Sequence, residues 1–117
     1  MRCVIVDDDP GFIAVARILL ERDGVSVAGV AGSCAEAVER VAAVRPDVVL
    51  IDIRLGSESG FEVARRLAGG DDGAALVMIS THAGADYADL VAASPAAGFV
   101  AKAELSADAI RRVLAPG

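Results

Sequence analysis

Long apolar runs, cysteines and lysines are all scarce in this 117-residue chain. The longest uninterrupted apolar stretches, such as 48–51 and 74–79, fall far short of the roughly 18 residues that a membrane-spanning helix requires. The two cysteines, Cys3 and Cys34, are too few for a disulfide framework and too far apart for a CxxC motif, so we expect two free, buried thiols. The N-terminus shows no signal-peptide pattern, and we therefore expect a cytoplasmic protein with no membrane partner.

Basic residues are outnumbered as well. Eleven Lys and Arg residues stand against seventeen Asp and Glu residues, which gives a formal net charge of -6. Contact with a nucleic-acid backbone needs a basic surface, so we expect no direct binding of DNA or RNA by this chain. Apolar residues make up 55% of the chain and charged residues 24%, which favours one soluble globular domain over residues 1–117.

Short apolar runs alternate with amphipathic segments along the whole chain. Runs of four to six apolar residues bounded by polar ones are typical of parallel strands that are buried on both faces. Segments with apolar residues at helical spacing follow each run and begin at capping residues. We predict strands at 3–6, 25–30, 48–51, 76–79 and 98–101, and helices that begin after Asp9, Ser33, Ser59 and Ser106 and over 86–93.

Polar residues at the starts of these helices indicate where each one begins. Asp9 precedes Pro10, and this pair is typical of a cap followed by proline at the first helical position. Two further segments, 33–36 and 59–62, have Ser followed three residues later by Glu, which predicts a capping box in each. Strict alternation of strand and helix with short connections predicts a doubly wound α/β sheet with helices on both faces.

Charged and hydroxyl side chains stand where the predicted strands end. In doubly wound sheets, ligands bind at the carboxyl ends of the strands. The residues there are Asp7 and Asp8 after the first strand, Asp52 after the third, Ser80 after the fourth and Lys102, the only lysine, after the fifth. Neighbouring carboxylates repel each other unless a cation is present, and Mg²⁺ prefers oxygen ligands, so Asp7, Asp8 and Asp52 predict a magnesium site.

Several of these segments together resemble the receiver domain of two-component response regulators, over essentially the whole chain. The matching segments are VIVDDD at 4–9, VVLIDIRL at 48–55, Gly60, VMIS at 77–80 and GFVAK at 98–102. The resemblance implies a flavodoxin-like, five-stranded parallel sheet in the order 2-1-3-4-5. It also implies a signalling protein of a phosphorelay rather than an enzyme with an external substrate.

The family's site residues can be carried over to matching positions. The resemblance implies that Asp52 accepts a phosphoryl group from a phosphohistidine on a sensor histidine kinase or phosphotransfer protein. It implies that Mg²⁺ is held by Asp7, Asp8, Asp52 and the main-chain carbonyl of Arg54. Phosphoryl transfer depends mainly on positioning and charge neutralisation, which is consistent with these residue types.

The resemblance also implies a switch. Lys102 would pair with the phosphoryl oxygens, and Ser80 would donate a hydrogen bond to them and move inward. Phe99 would turn with Ser80 and reshape an output face formed by the fourth helix, the fifth strand and the fifth helix. The resemblance also implies that a second copy of the chain can bind to that face and form a homodimer. The charged residues at 86, 89, 111 and 112 would lie on this face.

Four positions differ from the usual family pattern or are expected to adjust it. Ala103 replaces the proline that commonly follows the lysine, so we expect no cis peptide bond there. Gly56 stands where proline is usual, which we expect to loosen that loop. Thr81 is bulkier than the usual alanine and should narrow access to the acyl phosphate, while His82 occupies a position that tunes hydrolysis in the family.

Three other protein classes share part of this pattern. A haloacid-dehalogenase-type phosphatase also has an aspartate nucleophile after a buried strand, but it needs a second aspartate where this chain has Arg54. A flavodoxin-like FMN-binding protein would need a phosphate loop and aromatic residues, whereas residues 7–9 are acidic and aromatic residues amount to 3%. The remaining alternative, a receiver-like interaction module that works without phosphorylation, ranks second because all parts of the acceptor site are present.

Overall fold

The computed structural model describes residues 1–70, 73–82 and 86–115, and these residues form seven strands and five α-helices. The strands are β1 (Arg2–Val6), β2 (Ser26–Ala31), β3 (Val48–Asp52), β4 (Arg54–Leu55), β5 (Glu58–Ser59), β6 (Ala75–Ser80) and β7 (Gly98–Ala101). The helices are α1 (Pro10–Arg22), α2 (Cys34–Val44), α3 (Gly60–Ala68), α4 (Ala88–Ala92) and α5 (Ala107–Leu114).

Five of the strands form one parallel sheet in the order β2-β1-β3-β6-β7. Counting only the strands of this sheet, the order is 2-1-3-4-5, as the resemblance implied. The predicted doubly wound, flavodoxin-like fold is therefore confirmed. Because all five strands are parallel, their carboxyl ends lie along one edge, where the predicted site residues end or directly follow β1, β3, β6 and β7.

Apolar packing covers both faces of the sheet. Successive residues of β3 point to opposite sides, so that Val49 and Ile51 join one core while Val48 and Leu50 join the other. The first core lies under α2, α3 and α4, and the second lies under α1 and α5. Cys3 and Cys34 are both free and buried, as predicted, and burial raises the pKa of the Cys3 thiol to about 12.

Side-chain caps fix the starts of four helices, although neither predicted capping box closes in the expected way. Ser33 Oγ accepts a hydrogen bond from Glu36 N, but Glu36 Oε1 accepts from Gly32 N rather than from Ser33 N. Ser59 Oγ caps α3, whereas Glu62 pairs with two arginines of the next helical turn. The predicted contact of each glutamate with its capping-box amide was therefore wrong, because each carboxylate has other partners.

A β-hairpin replaces the loosened loop that we predicted around Gly56. Strands β4 and β5 pair in antiparallel register across the two-residue turn 56–57, and Gly56 has φ +61°. Proline cannot adopt that angle, whereas glycine at the first central position is typical of a type II′ hairpin turn. Glu58 Oε1 accepts a hydrogen bond from Cys34 N at 3.0 Å, which ties the hairpin to the start of α2.

The second half of the chain differs from prediction in two places. Helix α4 covers Ala88–Ala92 rather than 86–93, and a short 3₁₀ helix, Lys102–Glu104, follows β7 directly. The peptide bond before Ala103 is trans, as we expected from the absence of proline. Of the helices described, the longest has 13 residues, and none is long and apolar enough to cross a membrane.

Gly60 begins α3 in direct contact with the end of β3. A Cβ atom at this position would collide with the carbonyl oxygen of Asp52 and would lie 2.8 Å from its carbonyl carbon. Gly60 N also donates a hydrogen bond to the carbonyl oxygen of Ile53 at 2.8 Å. The backbone of Asp52 therefore leaves room only for glycine at the first position of α3.

We expect Gly60→Ala to lower the free energy of unfolding by about 1 to 3 kcal/mol, the usual range for forcing an extra carbon into filled space. Urea unfolding monitored by circular dichroism measures this loss. Gly69→Ala is the matched control, because a Cβ atom there would meet its nearest neighbour, Arg66 O, at an ordinary 3.6 Å. Equal stability of the two variants would contradict the tight packing of α3 on Asp52.

Candidate functional site

The carboxyl edge of the sheet brings together four of the side chains predicted from the sequence. Asp7 follows β1 directly, Asp52 is the last residue of β3, Ser80 is the last residue of β6 and Lys102 follows β7. Asp7, Asp52 and Ser80 are the three polar or charged residues that are buried among those described. Buried polar groups need partners, so their clustering marks this edge as the candidate site.

Lys102 lies between two buried carboxylates. Its Nζ atom is 2.7 Å from Asp7 Oδ2 and 3.1 Å from Asp52 Oδ2, and its side chain is 10% exposed. The contact with Asp52 is a hydrogen bond, whereas the approach to Asp7 Oδ2 is a short ion pair without hydrogen-bond geometry. Asp7 Oδ2 is therefore buried and accepts no hydrogen bond from the described residues.

Burial and charge shift the ionisation of this group of side chains. Burial raises the pKa of the Asp52 carboxyl, the hydrogen bond from Lys102 opposes the rise, and the charge of Asp7 adds to it. Burial would lower the pKa of the Lys102 ammonium, but its contacts with Asp7 and Asp52 outweigh that effect and leave the pKa raised. The lysine therefore stays charged, and a further cation would favour the ionised form of Asp52.

The three aspartates at this edge fit a divalent cation. Asp7, Asp8 and Asp52 each offer a carboxylate oxygen, and these oxygens lie within 4.8 Å of one another. Three carboxylates and one ammonium leave two formal negative charges in excess, which one Mg²⁺ ion balances. Asp8 is exposed and can keep water on such an ion, while the unsatisfied Asp7 Oδ2 provides a buried acceptor.

Backbone groups next to the aspartates hold the carboxylates in place. Asp7 Oδ1 accepts a hydrogen bond from Asp9 N at 2.9 Å, and Asp52 Oδ1 accepts one from Arg54 N at 3.2 Å. The side chain of Asp9 caps α1 by accepting from Gly11 N and Phe12 N, as predicted from the Asp-Pro pair. Arg54 is exposed in β4, and a role for its carbonyl as a metal ligand stays a prediction.

Ser80 stands next to the lysine-bearing strand with its hydroxyl partly engaged. It pairs in register with Ala101, the residue before Lys102. Ser80 Oγ accepts a hydrogen bond from His82 N at 3.1 Å, which leaves the hydroxyl proton free to be donated. Thr81 and His82 are both exposed at the rim of the site.

A row of rings leads from this rim to β7. The His82 ring lies edge-on to Tyr87 with 6.2 Å between centroids, and Tyr87 lies 6.5 Å from Phe99 at a tilt of 32°. Phe99 is half-buried against the core under α2, α3 and α4. Such separations are within the range of favourable aromatic contacts. The predicted switch residue Phe99 is thus connected to the loop after Ser80 through Tyr87.

Sequence analysis missed the contacts of Tyr87 and Phe12 with the site and the contact of Glu58 with the start of α2. Lys102 Nζ lies over the face of the Phe12 ring, 4.4 Å from its centroid. The first turn of a helix that follows a strand always begins at the carboxyl edge, so the position of Phe12 was a usable signal. No pattern in the sequence marks the hydrogen bond from Cys34 N to Glu58, because its partners are 24 residues apart.

Comparisons of the sequence with known proteins point to one family. A family model described as the response regulator receiver domain matches residues 3–114. The chain is 30% identical over 104 residues to the DNA-binding transcriptional activator EvgA of Escherichia coli K12, covering 89% of this chain and 51% of EvgA. It is 36% identical over 90 residues to the DNA-binding response regulator MtrA of Mycolicibacterium smegmatis, covering 77% and 38%. The chain thus spans about half of these relatives or less.

Solved structures of receiver domains superimpose closely. The signal receiver domain of NarL from Mycobacterium tuberculosis gives a TM-score of 0.84 at 28% identity, with 98% of this chain and 97% of that chain covered. The BeF3-activated N-terminal receiver domain of RstA from Klebsiella pneumoniae gives 0.83 at 25% identity, with 97% and 96% covered. The family model over residues 3–114, the sequence similarity to these relatives and the shared fold show that the chain belongs to the response regulator receiver domain family.

Proposed function

We propose that this receiver accepts a phosphoryl group onto Asp52 from a phosphohistidine of a sensor histidine kinase or phosphotransfer protein. The observation that carries the proposal is the buried Asp52 carboxylate, which contacts the only lysine and has an oxygen within 4.8 Å of carboxylate oxygens of Asp7 and Asp8. Such a chain is a signalling phosphoacceptor that assists its own phosphorylation and dephosphorylation. It does not turn over an external substrate.

The transfer step needs a positioned carboxylate. An oxygen of ionised Asp52 attacks phosphorus as the bond from phosphorus to the donor imidazole nitrogen breaks, and the imidazole leaves with that electron pair. The product is an acyl phosphate on Asp52. The hydrogen bond from Arg54 N fixes the carboxylate in the free protein, so little reorganisation precedes the attack.

Charge neutralisation comes from Lys102 and from a magnesium ion. Asp7, Asp8 and Asp52, with the carbonyl of Arg54, would hold Mg²⁺, which supplies positive charge beside the transferred group. Lys102 is already held at Asp52 Oδ2 and supplies an ammonium group for the phosphoryl oxygens. Ser80 has a free hydroxyl proton to donate, and exposed Thr81 and His82 control the approach of water to the acyl phosphate.

The output face that we propose consists of α4, β7 and α5. Lys102 joins this face to Asp52, because it follows β7 and contacts the acceptor carboxylate. The rings of Phe99 in β7 and Tyr87 before α4 are in contact, so a shift of β7 would displace the start of α4. A partner that reads this face, including a second copy of the chain, would distinguish the phosphorylated from the free protein.

The residue two positions after Asp52 separates this proposal from a phosphatase reaction. A haloacid-dehalogenase-type enzyme uses an aspartic acid at that position to protonate the leaving group. Arg54 occupies the position here, its side chain is exposed, and its amide hydrogen bonds to Asp52. An arginine guanidinium stays protonated in proteins and cannot serve as that acid.

We expect incubation with acetyl phosphate and Mg²⁺ to add one phosphoryl group to the protein, as measured by intact-protein mass spectrometry. Asp52→Asn should abolish this gain, because an amide lacks the nucleophilic oxygen charge. Asp9→Asn is the matched control, since asparagine caps a helix as well as aspartate does and the change is next to the site. Phosphorylation of Asp52→Asn at the wild-type rate would refute the assignment.

We expect Asp8→Ala to weaken Mg²⁺ binding by about tenfold or more. Loss of a residue that only hydrogen-bonds to a metal ligand can already weaken metal binding by about tenfold. Wild-type binding should itself be weak, because Mg²⁺ keeps several waters in a site with few carboxylates. Titration calorimetry measures both values, and Asp89→Ala, which removes an exposed aspartate from α4, serves as the control. Undiminished binding by Asp8→Ala would place the ion elsewhere.

We expect Lys102→Ala to accept phosphate, but we expect phosphorylation of this variant to change the conformation of α4 and β7 only weakly. The variant loses a charge-assisted contact worth about 1.5 to 3 kcal/mol. A loss of that size changes the ratio of active to inactive protein by about tenfold or more. Amide NMR shifts at Phe99 and its neighbours, recorded before and after phosphorylation, measure the change, and Arg40→Ala removes an exposed cation from α2, outside the proposed face, as the control. Shifts of wild-type size in phosphorylated Lys102→Ala would show that the lysine does not couple the two regions.

A further inference from the structure

The ring of Phe12 forms the third side of the environment of Lys102. Its centroid lies 4.4 Å from Nζ, while Asp7 Oδ2 and Asp52 Oδ2 lie 2.7 Å and 3.1 Å from the same atom. The ammonium group thus meets two carboxylates and one aromatic face and is almost withdrawn from water. A cation over a ring face is attracted by the ring quadrupole, and the attraction grows as water is excluded.

The position of Phe12 is fixed by the start of α1. Asp9 Oδ1 accepts hydrogen bonds from Gly11 N at 3.0 Å and from Phe12 N at 3.3 Å, and Pro10 begins the helix. The ring is half-buried at the margin of the core under α1 and α5. The cap that begins α1 therefore also determines where the ring stands relative to Lys102.

We infer that Phe12 is a positioning residue for Lys102 and holds the ammonium where it can meet a phosphoryl group on Asp52. The inference rests on the proposed function of Asp52 and deepens it. The carboxylates attract the ammonium, but they change when a phosphoryl group and a metal ion arrive. The ring is neutral and remains unchanged, so it keeps the ammonium at the site during that exchange. An aliphatic side chain would cover the same space without attracting the cation.

The sole lysine of the chain makes the contact directly observable. Protein labelled with ¹³C and ¹⁵N only in lysine gives one lysine spin system, that of Lys102, without any need for assignment. Protons above a ring face are shielded, so we expect the Hε protons of Lys102 to resonate upfield of an exposed lysine. Phe12→Leu should remove this shift, and Phe12→Tyr, which keeps the ring, should retain it.

Phe61→Leu is the matched control for the loss of a phenylalanine ring. Phe61 belongs to the core on the opposite face of the sheet, under α2, α3 and α4. Its replacement should destabilise the fold without moving the lysine signal. A Lys102 signal that is the same in Phe12→Leu as in the wild type, or that moves equally in Phe61→Leu, would overturn the inference.

A second measurement tests whether the contact affects signalling. After phosphorylation with acetyl phosphate and Mg²⁺, we expect Phe12→Leu to reduce the ratio of active to inactive protein by about threefold or more, measured from the amide shift of Phe99, and Phe12→Tyr to restore it. Full shifts at Phe99 in phosphorylated Phe12→Leu would refute the positioning role and leave the proposed function intact. Failure of the wild type to accept phosphate would refute the proposed function, while the lysine spectrum would still decide the contact.

Discussion

The ammonium of Lys102 between the carboxylates of Asp7 and Asp52 is the interaction on which the arrangement of the site depends. Both carboxylates are buried, and without this cation their repulsion would oppose ionisation of either one. Neighbouring strands are about 4.8 Å apart, and β6 lies between β7 and β3. A side chain that follows β7 must therefore extend past β6 to contact Asp52 at the end of β3. Lysine has the required length, and Ser80, at the end of the intervening strand, is small.

Apolar packing determines where these charges stand. All five residues of β3 are buried between two cores, so Asp52 cannot move away from Asp7 without disturbing both faces of the sheet. Gly60 adds a second constraint, because α3 begins against the backbone of Asp52. A site with opposing charges and little water is therefore held by residues that carry no charge. This is the condition under which fixed charges act strongly on a reacting group.

The sheet and the positions of the candidate site residues were predictable because the buried runs are short and apolar, and four of them end at a charged or hydroxyl residue. The runs at 3–6 and 48–51 were recognised by composition alone, and parallel strands bring their ends to one edge. What could not be predicted depends on competition between local partners. Glu62 has the spacing of a capping box, but Arg65 and Arg66 lie on the same helix face and bind its carboxylate instead. The hairpin at 54–59 is likewise set by a positive φ angle at Gly56, whose presence suggested only flexibility.

Helix α4 is the shortest α-helix among the described residues. It has five residues, none of them buried, and no side chain caps its start at Tyr87. A helix this short is marginal on its own, and its position depends on contacts with its neighbours. Tyr87 provides such contacts through His82 on one side and Phe99 on the other. Under the proposed function, a change at Ser80 or Lys102 would act on this short helix, where a small free-energy difference is enough to change which conformation is populated.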